Sequence, residues 1–282
     1  MQVNEQILKE LRRVELEILD VFHSFCVDHN IHYSLGFGTL LGAIRHQGFI
    51  PWDDDIDIIM PRFEYNRFIK LWQQKPVDGY VLQNEYEEYS DNGDNFCKLR
   101  KDNTTFIESE NDKFKRRHKG IFIDIFPVDR VASDGAHRKC QFLYSIIYML
   151  YCRNHPDRQS GFVSIGQEML LHLPDRLKTV IKKKALSYMT QWNNDKKLYL
   201  VVPCTVKFCK KYYPADLFDE YVLTDFNGRQ YYRTKNFQGF LESMYGDYMT
   251  LPPVEERTWK HHPILIDFEN TYEKLVEKGL AK

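Results

Sequence analysis

The sequence predicts an α+β fold in which the strands lie mainly before residue 130 and the later part of the chain is mainly helical. Three observations lead to this prediction. Apolar residues recur at helical spacing over residues 4–28. Short strand-like segments separated by turns then continue to Asp129, and helical patterns dominate beyond it. We therefore expect two parts, a core over residues 1–130 and a mainly helical region over residues 131–282.

Further elements follow from local patterns in the second part. Helices are predicted over residues 136–153, within residues 166–193 where Pro174 interrupts the pattern, and over residues 237–245. A β-hairpin is predicted over residues 221–232, because Asn-Gly between two strand-like runs is a strong turn signal. The segments predicted as loops are residues 88–95, 109–119 and 156–161.

Composition limits the classes of function. The chain of 282 residues is long enough to bury a large core. Its formal net charge is −1, so bulk charge does not indicate nucleic-acid binding. The N-terminal residues lack the form of a signal peptide, and the longest apolar run, residues 142–152, is too short to span a bilayer. We expect a cytoplasmic protein.

The six cysteines show no Cys-x-x-Cys pair, so reduced and unpaired thiols are expected. One alternative is a zinc site formed by Cys204, Cys209, His261 and His262. Buried thiols, together with a histidine pair of another role, are the commoner outcome.

A glycine turn over residues 36–46 is a candidate phosphate cradle. Residues 32–35 suit a short strand, and Gly36 and Gly38 then permit a tight turn with a close approach of backbone to ligand. Thr39 is predicted to cap a short helix that ends near Arg45, with its first N–H groups facing an anion. A lone Gly-x-Gly is a weak signal, and a plain turn is the simpler interpretation.

An acidic segment follows at residues 53–57. Asp55 and Asp57 alternate with Ile56 and Ile58, so a strand would place both carboxylates on one face and both isoleucines in the core. Clustered carboxylates repel unless a proton or a cation lies between them, and hard oxygen ligands suit Mg²⁺ or Mn²⁺. A generic acidic run is more often a solvated turn, but the apolar residues around this one argue against full exposure.

Lys98 and Arg100 would share one face of a strand over residues 96–101. There they could bind a pyrophosphate. The alternative is a solvated edge strand whose charges prevent aggregation.

The segment from Tyr33 to Phe68 resembles the LicD family of phosphotransferases, which includes the fukutin-type sugar-phosphate transferases. It contains the strings LGFGTLLGAIRH and PWDDDIDII. The string GIFIDIFPVD at residues 120–129 resembles the later strand that carries the family's third acid, here Asp124. Residues 245–263, with YGDYM, LPP and HHP, resemble the closing motif of the family.

This resemblance implies a nucleotidyltransferase-like core with a small mixed β-sheet flanked by helices, completed at its substrate site by the mainly helical C-terminal part. It implies that Asp55, Asp57 and Asp124 are catalytic and hold Mg²⁺ or Mn²⁺. Trp52 could hold a trimethylammonium group by a cation–π contact, although a Trp there is more often core. The substrate-binding residues expected are Gly38, Thr39, Arg45, Trp52, Lys98, Arg100, His261 and His262.

The resemblance also implies a donor and an acceptor. The donor would be CDP-choline, and the acceptor a hydroxyl of a cell-surface glycan of the teichoic acid, lipopolysaccharide or capsule type, which can be lipid-linked. The same chemistry with CDP-ribitol or CDP-glycerol is one alternative. A catalytically inactive nucleotide-binding module is another, and the intact acidic triad argues against it.

Residues 176–184 form a candidate membrane-contacting helix. Leu177, Val180 and Ile181 make an apolar stripe beside basic residues, which is typical of helices that rest on an anionic membrane. Peripheral contact with the cytoplasmic membrane face would bring the protein to lipid-linked acceptors. The commoner alternative is a helix that packs on the catalytic core with solvated lysines. The basic residues are Lys178, Lys182, Lys183 and Lys184.

Overall fold

A mixed β-sheet flanked by helices forms the centre of the protein. The computed structural model describes residues 5–86, 94–109, 117–153 and 172–281. The helices are α1 (Glu5–Asp28), α2 (Phe37–His46), α3 (Arg62–Gln74), α4 (Gly135–Arg153), α5 (Asp175–Thr190), α6 (Gln238–Tyr245) and α7 (Tyr272–Glu277). The strands are β1 (Ser34–Leu35), β2 (Asp57–Pro61), β3 (Tyr80–Gln83), β4 (Cys97–Lys101), β5 (Thr105–Ile107), β6 (Phe122–Arg130), β7 (Leu200–Val201), β8 (Tyr221–Phe226), β9 (Arg229–Thr234) and β10 (Leu265–Asp267).

The order of the central sheet is β1–β2–β6–β4–β3, and β7 pairs with the end of β6. Strands β2 and β6 run parallel, whereas the other neighbours in the sheet are antiparallel. The register places Asp57 opposite Asp124, and Asp124 opposite Lys98 on the other side. Three neighbouring strands therefore carry two acids and one base at the same level.

Helix α1 packs along the sheet through the apolar stripe that the sequence predicts. Its inward residues, among them Val14, Ile18 and Phe22, are fully buried. They join a core that extends from Leu11 to Ile266 and so includes residues of both parts of the chain. The burial of this stripe holds the helix against the sheet.

The hairpin β8–β9 is present where the Asn-Gly signal predicts it. Asn227 and Gly228 both have positive φ angles, 55° and 74°, as a two-residue hairpin turn of this kind requires. The turn lies against the end of α2, where the Asn227 side-chain oxygen accepts a hydrogen bond from the Phe49 N–H at 3.0 Å. At its other end the hairpin lies beside β1, and the Thr234 N–H donates to Ser34 Oγ at 2.9 Å.

A buried ion pair ties α3 to the sheet. The Arg62 guanidinium, at the start of α3, donates two hydrogen bonds to the Asp129 carboxylate on β6, at 3.0 and 2.7 Å. Glu85 lies 3.6 Å from the same guanidinium. All three side chains are buried, so the charges compensate one another inside the protein.

Helix α5 packs against α4 rather than lying free. The contact is made by Ala185 and Met189, while Leu177 and Val180 are exposed. Lys182 is engaged internally, since its Nζ donates to the Glu85 carbonyl at 2.6 Å. Lys183 and Lys184 are exposed, as are the two apolar residues.

The predicted α+β fold is confirmed, including a mainly helical C-terminal part with a hairpin in it. The predicted helices at residues 4–28, 136–153 and 237–245 match α1, α4 and α6 within two residues. Predictions that fall on residues 87–93, 110–116 and 154–171 lie outside the described residues, and the boundary near residue 130 stays a prediction. In the described ranges, no helix is long and apolar enough to cross a membrane.

Candidate functional site

The glycine turn is fastened to β2 by two hydrogen bonds. Helix α2 begins at Phe37 with Gly36 as its N-cap residue, so the prediction that Thr39 caps the helix is wrong. Thr39 lies inside the first turn, and its hydroxyl oxygen accepts from the Asp57 N–H at 2.8 Å. The Gly36 N–H donates to the Asp57 carbonyl at 2.8 Å. Both hydrogen bonds involve the backbone of Asp57, so the predicted phosphate cradle is joined directly to the predicted acidic strand.

Gly38 permits a close approach of α2 to the acidic segment. A Cβ atom at this position would lie 2.4 Å from Asp53 Oδ2 and 3.3 Å from Lys260 Nζ. Because real Cβ atoms do not approach other heavy atoms so closely, only glycine allows Asp53 to keep its position. The backbone of the turn and the acidic segment are therefore in direct contact.

Asp57 and Asp124 are brought together by the parallel register of β2 and β6. Both are buried, and Lys98 Nζ donates to Asp124 Oδ1 at 2.6 Å. Asp55 lies two residues before β2, outside the strand in which it was predicted, and Ile56 and Ile58 are fully buried as the alternation predicts. The interpretation of this segment as a solvated turn is therefore excluded.

The tightest carboxylate cluster is not the predicted triad. Among the described residues, Asp53, Asp54 and Asp55 form a group whose oxygens lie within 4.8 Å of one another. Of the three predicted metal ligands, only Asp55 belongs to this group. The other two, Asp57 and Asp124, lie next to each other on strands β2 and β6. The alternative zinc site does not form in the described part of the chain, where Cys204 and Cys209 are free, buried thiols.

Two cationic side chains from the C-terminal segment lie against this cluster. Lys260 Nζ is 2.9 Å from Asp53 Oδ1 and 3.4 Å from Asp55 Oδ1. His261 Nδ1 is 3.4 Å from Asp54 Oδ1. The backbone N–H groups of Lys260 and His261 also donate to the Asp54 carboxylate, at 3.3 and 3.0 Å. The closing motif is thus part of the site.

Three carboxyl groups of the site, those of Asp53, Asp57 and Asp124, lie in surroundings that disfavour their charge. Burial raises the pKa of Asp57 well above its usual range, and the charge of Asp55 adds to this shift. Burial also raises the pKa of Asp124, although Lys98 opposes the effect. Burial and the nearby Asp55 raise the pKa of Asp53 to about 6. The cluster therefore favours a proton or a cation among its carboxylates.

The two cationic groups near these carboxylates, His261 and Lys260, have raised pKa values. Burial alone would lower the pKa of His261, but the hydrogen bond with Asp54 and the charges of Asp55 and Glu108 outweigh burial and raise this pKa to about 9. Burial likewise opposes the charge of Lys260, and the surrounding aspartates, Asp55 first, raise its pKa above the usual range. Both groups carry a positive charge at neutral pH.

Helix α1 contributes two residues from outside the motifs. The Arg12 guanidinium donates to the carbonyls of Ile50, at 2.9 Å, and Asp53, at 2.6 Å, so it holds the turn that leads into the acidic segment. Glu15 is buried, and burial and the nearby aspartates, Asp55 first, raise its pKa well above the usual range. Its Oε2 atom has no hydrogen-bond partner among the described residues.

The structure places Lys98 and Arg100 inside the sheet. Strand β4 lies between β6 and β3, and both side chains are buried, so the solvated edge strand is excluded. Arg100 donates to Gln83 Oε1 at 2.6 Å and to the Gly120 carbonyl at 2.7 Å. Lys98 is the one of the two that is paired with a predicted catalytic acid.

The other predicted binding residues lie around the rim of the site. Arg45, on α2, donates to the carbonyl of Tyr248 at 2.7 Å and so connects the glycine turn to the closing motif. Trp52 is half-buried, and the Arg257 guanidinium lies 5.3 Å from the centre of its ring. Arg257 thus makes with Trp52 the type of cation–π contact that was predicted for a trimethylammonium group of the ligand. His262 is exposed.

Sequence reasoning missed Arg12, Glu15 and Lys260. The sequence did contain an indication for Glu15, because a charged residue within the buried apolar stripe of a helix is unusual. Lys260 lies next to the predicted His261, but its partners are more than 200 residues away. No local pattern assigns such a partner.

Comparison with known proteins places these features in a family. The domain described as LicD/FKTN/FKRP, nucleotidyltransferase domain, matches residues 30–151. The lipopolysaccharide cholinephosphotransferase LicD of Haemophilus influenzae is 31% identical over 269 residues, which cover 90% of this chain and 96% of the relative.

Two shorter similarities involve uncharacterised proteins of Rickettsia. The protein of Rickettsia prowazekii is 34% identical over 86 residues, 24% of this chain and 32% of the relative. That of Rickettsia typhi is 29% identical over 108 residues, 31% of this chain and 35% of the relative.

The close approach at Gly38 generates a stability prediction. Gly38→Ala should lower Tm by at least about 2 °C, since overpacking at a buried contact costs roughly 1–3 kcal/mol. Gly135→Ala is the matched control, because a Cβ there meets nothing within 4 Å, and we expect its Tm to stay level or rise. Equal Tm values for the two variants, measured by scanning calorimetry, would contradict the contact between α2 and Asp53.

The raised pKa of His261 generates a pH prediction. The pKa is about 9 in the folded state and about 6.5 in the unfolded chain. The ion pair with Asp54 therefore stabilises fully below about pH 6.5 and is lost as the pH rises through 9. In the absence of divalent metal, His261→Gln should have a lower Tm than wild type. This difference in Tm should be largest at pH 6 and smallest above pH 9. A Tm difference that stays constant from pH 6 to 9.5 would show that His261 is not charged in the fold.

Proposed function

The chain belongs to the LicD family, and from this premise and the geometry of the site we propose that it transfers phosphocholine from CDP-choline to a hydroxyl of a cell-surface glycan. The acceptor would be of the lipopolysaccharide, teichoic acid or capsule type. The observation that carries the proposal is the register that sets Asp57 beside Asp124 and Asp124 beside Lys98. In support, the relative from Haemophilus is named as a cholinephosphotransferase that acts on lipopolysaccharide.

The residues present fit Mg²⁺ or Mn²⁺. The oxygens of Asp53, Asp54 and Asp55 lie within 4.8 Å of one another, and Asp57 and Asp124 are partners in the adjoining strands. The Lys260 ammonium lies between Asp53 and Asp55, at 2.9 and 3.4 Å. Oxygen-rich sites of this kind suit hard divalent cations. Asp55, Asp57 and Asp124 would hold the ion, which when bound supplies positive charge to neutralise the donor's diphosphate.

The transfer itself would be an in-line displacement at phosphorus. The acceptor oxygen forms a bond to the phosphorus of phosphocholine, the bond from that phosphorus to the CMP oxygen breaks, and CMP leaves with the electron pair. Asp124 would either help to hold the metal ion or accept the proton of the attacking hydroxyl. Its ion pair with Lys98 at 2.6 Å fixes the carboxylate for either role, and its raised pKa suits a base.

The donor's phosphates would meet the backbone at Gly38 and Thr39. The first N–H groups of a helix have no intrahelical partner, and Gly36 supplies no side-chain cap, so the N–H groups at the start of α2 would bind phosphate oxygens. Arg45 would help mainly by holding the turn against the closing motif. Because Arg257 already lies against the Trp52 ring, a trimethylammonium group bound there would share the ring with that guanidinium or replace it.

Two alternatives remain in the proposal. CDP-ribitol or CDP-glycerol could serve as donor in the same chemistry, because the matched domain also covers the fukutin-type proteins. An inactive nucleotide-binding module is less well supported, since its function would not require a buried acid and base pair in register. We also propose a cytoplasmic location, with Lys183 and Lys184 available for peripheral contact with the membrane face that presents lipid-linked acceptors.

Removal of one catalytic carboxylate should separate activity from stability. Asp55→Asn, Asp57→Asn and Asp124→Asn should each lower kcat by at least about a hundredfold, because the lost charge acts on the transition state. In metal-free buffer, Asp57→Asn should keep or raise Tm, since it removes a buried like charge. Asp124→Asn should lower Tm, because buried Lys98 loses its ion pair at 2.6 Å and keeps only the Asp94 carboxylate at 4.0 Å.

The matched control is Asp78→Asn, an exposed acid outside the site. CMP release and calorimetry provide the two measurements, and we expect the control to match wild type in both. Near-normal kcat in all three site variants would reject the proposed triad.

The donor can be identified by ligand-induced stabilisation. CDP-choline with Mg²⁺ should raise Tm, because a ligand that binds only the native state at a hundred times its Kd adds about 2.7 kcal/mol. CDP-ribitol, CDP-glycerol and CMP complete the panel, and release of CMP in the presence of a glycan acceptor reports turnover. A response to CDP-ribitol or CDP-glycerol without one to CDP-choline would change the donor. Binding without CMP release would favour the inactive module.

A further inference from the structure

Lys260 is a charged residue of the site that the sequence motifs do not explain. Its ammonium lies 2.9 Å from Asp53 Oδ1 and 3.4 Å from Asp55 Oδ1. It also lies beside Gly38, within 3.3 Å of the point where a Cβ would be. A single positive charge is thus placed between the predicted phosphate cradle and the carboxylates.

The backbone at Lys260 is held independently of its side chain. The N–H groups of Lys260 and His261 both donate to the Asp54 carboxylate, and His261 makes a second contact with Asp54 through its ring. The side chain of Lys260 is 52% exposed. It can therefore leave the carboxylates by rotation about its own bonds, without detachment of the segment.

We propose that Lys260 is a built-in counter-ion of the acidic cluster, which a divalent cation must displace from Asp53 and Asp55 before the site can receive a donor. This inference rests on the proposed metal-dependent function. The ammonium group of Lys260 and a divalent cation would compete for the oxygens of Asp55, and the cation has the greater charge. While the site lacks a cation, Lys260 offsets the repulsion among aspartates that would otherwise be unpaired.

The arrangement has a consequence for the order of events. Part of the binding free energy of the cation is used to expel Lys260. The free protein therefore binds the cation more weakly than it would without the Lys260 ammonium. The expelled ammonium remains close to the glycine turn, since its backbone stays bound to Asp54. It then becomes available to the phosphates of the donor, so that cation and donor assist each other's binding.

Titration with Mn²⁺ in the absence of nucleotide tests the competition. Electron paramagnetic resonance measures free Mn²⁺ against wild type, Lys260→Met, which removes the charge, and Lys260→Arg, which keeps it. We expect Lys260→Met to bind Mn²⁺ at least about tenfold more tightly than wild type and Lys260→Arg to bind within about threefold of wild type. Lys235→Met is the control, because Lys235 is paired with Glu220 away from the site, and it should match wild type. Equal or weaker binding by Lys260→Met overturns the proposal.

A second measurement uses the wild-type chain and does not depend on the folding of a variant. Acetic anhydride modifies free amines, and mass spectrometry reports the rate at each lysine. Saturating Mn²⁺ should speed the modification of Lys260 several-fold, because its ammonium is released from the carboxylates, and should leave Lys235 unchanged. A rate at Lys260 that is unchanged or lower with Mn²⁺ overturns the proposal.

The outcomes separate this inference from the proposed function. Equal Mn²⁺ binding by wild type and Lys260→Met rejects the displacement and leaves metal-dependent transfer intact. Absence of Mn²⁺ binding in both rejects the displacement together with the metal. A change of donor from CDP-choline to another CDP-linked alcohol revises the function and leaves the role of Lys260 as it is.

Discussion

The structure depends on the neutralisation of carboxylates that the fold brings together in a partly buried site. An isolated buried carboxylate is costly, and several close together repel one another. The protein meets this cost in two ways: burial raises the pKa of Asp53, Asp57 and Asp124, and other elements supply cations. The acids are Glu15, Asp53, Asp54, Asp55, Asp57 and Asp124, and the cations in contact with them are Lys98, Lys260 and His261.

This constraint explains why elements distant in sequence meet at the site. Strand β4 pairs antiparallel with β6, so Lys98 lies beside Asp124. The C-terminal segment crosses the acidic residues and is held there by hydrogen bonds to Asp54. The same principle applies deeper in the protein, where Arg62 neutralises Asp129. Removal of one partner from such a buried pair leaves the other uncompensated, typically at a cost of about 3–5 kcal/mol.

Local patterns could be predicted from the sequence, and long-range partnerships could not. Helix α1 and the hairpin at Asn227 follow from periodicity and turn chemistry, which need only neighbouring residues. The start of α2 was misplaced because the Thr39 hydroxyl, a good capping group, instead accepts from Asp57, 18 residues away. Lys98 was predicted at a phosphate, and the structure pairs it with the predicted acid Asp124. Such pairings depend on strand order, which no local pattern in the chain specifies.

The matched family domain, residues 30–151, contains most of the acids but few of the groups that neutralise them. It includes Lys98, whereas Arg12, which holds the acidic turn, and Lys260 and His261 lie outside it. The acidic motif alone therefore does not determine the charge of the site. Its carboxylates are neighbours in sequence, but their neutralisation requires the first helix and the last segment of the chain. The charge of the site is accordingly set by the whole chain, and the closing segment belongs to the site as much as the strands do.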